Sequence, residues 1–146
     1  MIMVQYPEPQ FRIKVENGKR FIFDAIRKTW LLLTEEEWVR QNFLNYLISH
    51  LNYPSALIAL EKEIMLNDLK KRFDILVYNP SHQPWMMVEC KAASVKLSES
   101  VLQQLLRYNI SVPVEYMIIT NGSSTIGWKK QNGELKMLKE LPQFGA

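Results

Sequence analysis

The chain has 146 residues and a mass of 17.2 kDa, enough for one well-buried domain and too few for two ordinary ones. Its 47% hydrophobic and 23% charged residues give an ordinary globular balance, and no apolar run approaches the roughly 18 residues of a membrane span. A net charge of +3 is compatible with nucleic acid without demanding it, and the single cysteine, Cys90, excludes an internal disulfide. The start lacks the charged and apolar regions of a secretory signal. The expectation is one cytoplasmic domain over residues 1–146, with no membrane partner.

In chain order, residues 11–15 alternate apolar and polar, Asn17-Gly18 follows, and residues 20–23 resume the pattern. Asn-Gly between two such runs predicts a hairpin. Residues 24–33 read as a connecting segment. Thr34-Glu35-Glu36-Glu37 has the pattern of a capping box, with Thr34 at the N-cap and Glu37 three residues on. The helix it opens carries an apolar stripe at Val39, Phe43, Tyr46, Leu47 and Leu51, and Asn52-Tyr53-Pro54 ends it. Residues 56–66 read as a strand, with Ile58, Leu60, Ile64 and Leu66 on one face and Glu61 and Glu63 on the other. Residues 67–71 read as a polar turn.

Residues 72–91 then read as two apolar strands joined by a short Pro-containing loop. A loop over 92–96 leads to Ser98, the predicted N-cap of a helix ending at Tyr108 or Asn109, with Val101, Gln104, Leu105 and Tyr108 on one face. Residues 115–120 form another apolar strand. Residues 125–128 and 134–138 pair across Asn132-Gly133, and the tail 141–146 is expected to fray. Hairpin, helix, three strands, helix, strand and terminal hairpin predict an α/β chain with a mixed sheet flanked by helices.

Charges inside apolar strands need a reason. Asp74 lies on the first strand of the central pair, and after fourteen intervening residues Glu89 and Lys91 lie on the second. Strand side chains alternate, so Glu89 and Lys91 share a side, roughly 7 Å apart. Phosphodiester hydrolysis needs a hard cation on oxygen ligands, and Mg²⁺ takes one or two carboxylates plus water and phosphate. A neighbouring lysine can orient that water or offset charge on the phosphate. The same three residues also fit a structural ion pair.

Their surroundings raise the specificity. Glu-Glu-Trp-Val-Arg-Gln (36–41), Lys-Arg-Phe-Asp (71–74), Val-Glu-Cys-Lys-Ala (88–92), Gln-Leu-Leu-Arg-Tyr-Asn (104–109) and Ile-Ile-Thr-Asn-Gly (118–122) together resemble the PD-(D/E)xK nuclease superfamily. The chain is most similar to the N-terminal nuclease domain of type I restriction enzyme R subunits, with a restriction-endonuclease-like core over about 34–122. That resemblance implies a Mg²⁺-dependent endodeoxyribonuclease, with Mn²⁺ as a substitute and DNA as partner. It implies Asp74 and Glu89 as metal ligands, the backbone carbonyl of Cys90 as a further ligand, and Lys91 as the catalytic lysine. Gln104 and Tyr108 match its Gln-x-x-x-Tyr motif, and Glu37 its acidic residue on the first helix. Phe73 stands where the family has proline. No Gly-x-x-x-x-Gly-Lys-Ser/Thr occurs, so there is no ATP site in this chain, and a separate motor or specificity subunit is the implied partner.

Blander readings stand beside these. Glu37 also fits a capping role alone, and Glu61 and Glu63 a solvated or supporting one. Gln104 and Tyr108 also fit helix packing, and His50 and His82 the surface. Trp30, Trp38, Trp85 and Trp128 are expected in the core, as is the Cys90 thiol, and Lys70-Lys71-Arg72 is expected to be solvated. The rival function is a catalytically silent module that binds nucleic acid or protein, and a homodimer is compatible with the sequence.

Overall fold

A computed structural model describes residues 1–66 and 68–145, so Asn67 of the predicted polar turn and Ala146 of the predicted tail lie outside the described residues. The first three strands, β1 (Ile13–Glu16), β2 (Lys19–Asp24) and β3 (Thr29–Leu32), form a small antiparallel sheet in that order. Asn17 and Gly18 both adopt positive φ, 52° and 76°, the mirrored turn whose twist matches its strands. β3 corrects the connecting segment expected over 24–33. Asp24 Oδ1 accepts from the backbone N–H groups of Ile26 and Arg27, each at 2.9 Å, and Lys28 takes φ 54°. The chain therefore doubles back and sets Trp30 opposite Phe23. The turn signal was a side chain bonding to its own backbone, with no glycine to announce it.

Helix α1 (Glu35–Asn45) opens as predicted, with Thr34 Oγ1 accepting from Glu37 N at 3.0 Å. It runs on through a wider π turn (Tyr46–His50), and Val39, Phe43 and Leu47 are buried beneath it. Six further strands follow: β4 (Ile58–Leu66), β5 (Leu69–Tyr78), β6 (Pro84–Cys90), β7 (Tyr116–Thr120), β8 (Thr125–Gln131) and β9 (Glu134–Met137). They form one sheet in sequence order, antiparallel except at β6–β7, which are parallel and joined through helix α2 (Glu99–Asn109). A parallel pair needs such a crossover.

The sheet separates two cores. On one face Ile75, Val77, Met86, Val88, Cys90 and Ile118 pack with Val39, Phe43 and Leu47 of the α1 segment. On the other, Leu76, Met87, Met117 and Ile119 pack with Leu102, Leu105 and Leu106 of α2. From Met86 to Cys90 the residues of β6 alternate between them as period 2 requires. β4 and β5 do not. Leu60 and Ile75 belong to the first core, but Phe73 lies in the second and Ile64 packs against it. Pairing holds at Leu60–Ile75 and Lys62–Phe73 and lapses between them, where Glu61 takes φ 49°. The single face expected to join Ile58, Leu60 and Ile64 is thus broken at Glu61, and both strands exchange cores there; the side chain of Leu66, expected on the same face, lies outside the described residues.

The tail does not fray. Leu141 is buried, and the Phe144 ring meets Tyr53 and Trp85 with centroids 5.8 and 5.4 Å apart, while Tyr53 Oη donates to the Pro142 carbonyl. Phe144→Ala is expected to lower stability by about 1.5–2.5 kcal/mol, half of what a fully buried ring would lose, as read by urea unfolding. An unchanged midpoint would mean that the tail rests on the core without holding it. Trp85 and Trp128 are buried as expected. Trp30 is only half-buried and Trp38 is 37% exposed, because both ride on the small sheet and the outer side of α1.

Candidate active site

Asp74 sits on β5 where its pairing with β4 lapses, and one step beyond the pair Ile75–Val88 the residues that follow on β5 and β6 are Asp74 and Glu89. Asp74 Oδ2 accepts the backbone N–H of Cys90 at 2.8 Å, which ties the two strands together at this point. Glu89 and Lys91 point to the same side, Lys91 Nζ standing 3.8 Å from Glu89 Oε1. The Cys90 side chain turns the other way into the first core, where burial pushes its thiol pKa up. It is no nucleophile. The structure therefore brings Asp74, Glu89 and the Cys90 main chain together, with Lys91 beside them.

The electrostatics of the pair are those of a site short of positive charge. Burial raises Glu89 to about 7, with the Asp74 carboxylate pushing the same way and Lys91 only partly offsetting it. Burial also raises Asp74, against the Cys90 N–H, Arg40 and Lys91. Below about pH 4.5 Glu89 is protonated folded or unfolded. As pH rises toward 7 the unfolded chain loses that proton first, so stability falls across this window and the penalty is complete above it. Glu89→Gln is therefore expected to stabilise the metal-free protein by about 2–3 kcal/mol at pH 8 and hardly at all at pH 4.5. Thermal melts in EDTA would read roughly 5 °C at the higher pH. A gain independent of pH would refute the assignment of the strain to this carboxylate.

These donors fit a hard divalent cation. Two carboxylates forced together, with the main-chain carbonyl of Cys90 directly after Glu89 in sequence, suit an ion that keeps water in its remaining positions, as Mg²⁺ does. Among the described residues no group of three or more His, Cys, Asp or Glu side chains is placed to hold a metal.

Behind Asp74 lies a buried network that the sequence did not single out. Arg40 of α1 is buried and donates to Glu37 Oε1 at 3.0 Å, to Glu61 Oε1, and at 3.5 Å to Asp74 Oδ1. Glu37 also accepts from Gln41 Nε2 at 3.1 Å, and the same amide nitrogen bonds Asp24 Oδ2 at 3.0 Å. Burial raises Glu37 despite Arg40. Glu61 is pushed up by burial but held below its ordinary value by Arg40, Arg72 and Arg27. Glu37 consequently reaches Asp74 only through the Arg40 guanidinium. It is a supporting residue on this geometry, and its carboxylate turns inward to Arg40 and Gln41. Glu61 joins it as a bridge among three arginines. The signal available in sequence was Arg40, a charged residue three positions before Phe43 on the helix face expected to be apolar.

Gln104 and Tyr108 are exposed on the outer face of α2, Tyr108 at 67%. The packed face is instead Leu102, Leu105 and Leu106, so the expected grouping of Gln104 and Tyr108 with Leu105 was rotated by one residue. The Tyr108 ring receives Lys71 Nζ at 3.6 Å from its centroid, and Lys71 also donates to the Tyr108 carbonyl. Lys71 is buried in β5, which corrects its solvated reading. Burial lowers its pKa, with Glu89 opposing. His50 and His82 are exposed, as expected.

A family model described as the type I restriction enzyme R protein N terminus matches residues 35–142, well over half of the chain. No curated protein matches the chain significantly. The match spans α1, both strands of the carboxylate pair, α2 and the terminal hairpin.

Proposed function

Because the chain belongs to the type I restriction enzyme R protein N-terminus family, a nuclease-like module with a mixed-sheet, restriction-endonuclease-like fold, we propose that it hydrolyses DNA phosphodiesters with a divalent cation. The observation that carries this is the meeting of Asp74 and Glu89 across β5 and β6, with Lys91 3.8 Å from Glu89. Asp74, Glu89 and the Cys90 carbonyl would hold Mg²⁺, or Mn²⁺ in its place. Bound there, the ion would polarise a phosphoryl oxygen and lower the pKa of a water.

The chain's own residues supply the rest. The Cys90 N–H fixes one Asp74 oxygen, so the carboxylate is oriented before any substrate arrives. Arg40 holds the other side of Asp74 and pairs with the buried carboxylate of Glu37 and the partly buried one of Glu61. Lys91, one-third exposed, is free to face a phosphate and to offset charge developing on it. Gln104 and Tyr108, exposed on α2, would touch DNA and not the ion. With no P-loop sequence in these residues, a separate motor or specificity subunit would choose the target.

The test is incubation of linear, nicked and branched DNA with Mg²⁺ or Mn²⁺, using EDTA and Asp74→Asn as matched controls. Cleavage confined to wild type with metal is expected. Failure to cut any substrate, or equal cutting by Asp74→Asn, would refute hydrolysis and leave the silent binding module.

A further inference from the structure

We propose that the outward face of the β1–β3 sheet binds single-stranded DNA, stacking unpaired bases on Phe21, Phe23 and Trp30 and holding phosphates with Arg12 and Lys14. The family match begins at residue 35 and assigns nothing to this sheet. Register places Lys14 opposite Phe21, Phe21 opposite Leu32, and Phe23 opposite Trp30, so these side chains share one face. Ile22 and Asp24 alternate to the other side and are fully buried. None of Phe21, Phe23, Trp30 or Leu32 belongs to either core, and Leu32 is exposed. Phe21, Phe23 and Trp30 are partly exposed and lie side by side on this one face, whereas the more exposed Trp38 and Tyr108 stand apart on separate helices.

Cations interleave them. The Arg12 guanidinium stands 4.7 Å from the Phe23 centroid and 5.4 Å from that of Trp30, and Lys14 Nζ lies 4.6 Å from Trp30. Charge points the same way. Residues 11–33 hold six Lys and Arg against two Asp and Glu, a surplus of four, whereas the whole chain has a net charge of +3. Asp24 is buried against Arg27, and Glu16 is paired with Lys14 at 3.1 Å, so the face presents little free negative charge. The remaining 123 residues sum to −1. Aromatic faces and cations side by side are what an unpaired strand recognises, because every base offers a π-face and every nucleotide a phosphate. A duplex hides its base faces and could use the cations alone. The sheet is tied to the proposed active site through Asp24, Gln41, Glu37 and Arg40, so a strand held here lies on the same rigid body. Only the choice of DNA rests on the proposed hydrolysis.

Fluorescence anisotropy in EDTA, which silences cleavage, tests this with a labelled oligodeoxythymidylate of about 16 nucleotides and a duplex of equal length. Arg12→Gln/Lys14→Gln and Trp30→Ala are each expected to weaken single-strand binding roughly tenfold, with Lys136→Gln/Lys139→Gln on and after β9 as an unchanged control. Arg12 is exposed and Gln keeps part of each stem, so the double change leaves the fold intact. Photocrosslinking of a 5-bromodeoxyuridine oligonucleotide to wild type avoids variants altogether and is expected to label residues 21–32. Absent binding at low salt, binding insensitive to both changes, equal duplex affinity with Trp30→Ala silent, or crosslinks elsewhere would each overturn the proposal. Asp74→Asn is expected to bind the strand normally, so loss of cleavage and loss of this face are separate results.

Discussion

Asp74→Asn is expected to abolish cleavage and divalent-cation binding together, whereas Lys91→Ala should keep the cation and lose the rate. Asparagine retains an oxygen to accept the Cys90 N–H, so the junction of β5 and β6 survives while the negative charge disappears. Glu89 is left as a lone carboxylate, too little for a hard cation that must give up water to bind. Lys91 contributes differently. Its ammonium neighbours Glu89 at 3.8 Å without joining the oxygen donors. Its removal should lower the cleavage rate by about 10²–10³, the size of one lost electrostatic contact to the transition state. Calorimetric Mn²⁺ titration of both variants, beside single-turnover cleavage, separates the two roles. If Lys91→Ala lost the cation as completely as Asp74→Asn, the lysine would be a structural partner of Glu89 and its catalytic reading would fail.

Arg40→Ala should be the most damaging change to stability. The guanidinium lies between Glu37, Glu61 and Asp74, and its loss strands Glu37 in a site that water barely reaches. Breaking a buried pair by removing one partner costs about 3–5 kcal/mol, because the remaining charge is buried without compensation. In a chain of this size that lowers the melting temperature by on the order of 10 °C. Glu37→Gln in the same background should recover part of the loss, since it removes the stranded charge, and the double-mutant cycle measures how much. A loss under about 1 kcal/mol would mean that solvent screens the network as it does surface pairs.

Much of this was legible in the sequence because it is local. Thr34 caps α1 through a hydroxyl three residues from its donor, and the Asn17-Gly18 and Asn132-Gly133 pairs each reverse a hairpin within two residues. The Asp74 and Glu89 pairing followed from period-2 strands and one short loop. What escaped was decided over long sequence distances. Arg40 acquires its role only when Glu61 and Asp74, 21 and 34 residues on, arrive beside it. Phe144 looks like a loose end until Tyr53 and Trp85 offer it rings. The α2 face was misread by one residue because Val101, Gln104, Leu105 and Tyr108 fit helical spacing as well as Leu102, Leu105 and Leu106, which are the residues that pack. β3 was missed because its preceding turn is closed by the Asp24 carboxylate.

The exchange of cores at Glu61 and Asp74 has a mechanical consequence. Strand pairs ordinarily answer to one packed layer on each side, and a disturbance there shifts the whole ribbon. Here the two neighbours of Asp74 answer to different layers, Phe73 to the α2 layer and Ile75 to the α1 layer, so the strand behaves as a beam clamped at two points with the carboxylate between them. Thinning either clamp, at Ile75 or at Phe73, should tilt the acid relative to Glu89 without touching it. Both cores thus become part of the tolerance to which the two carboxylates are set.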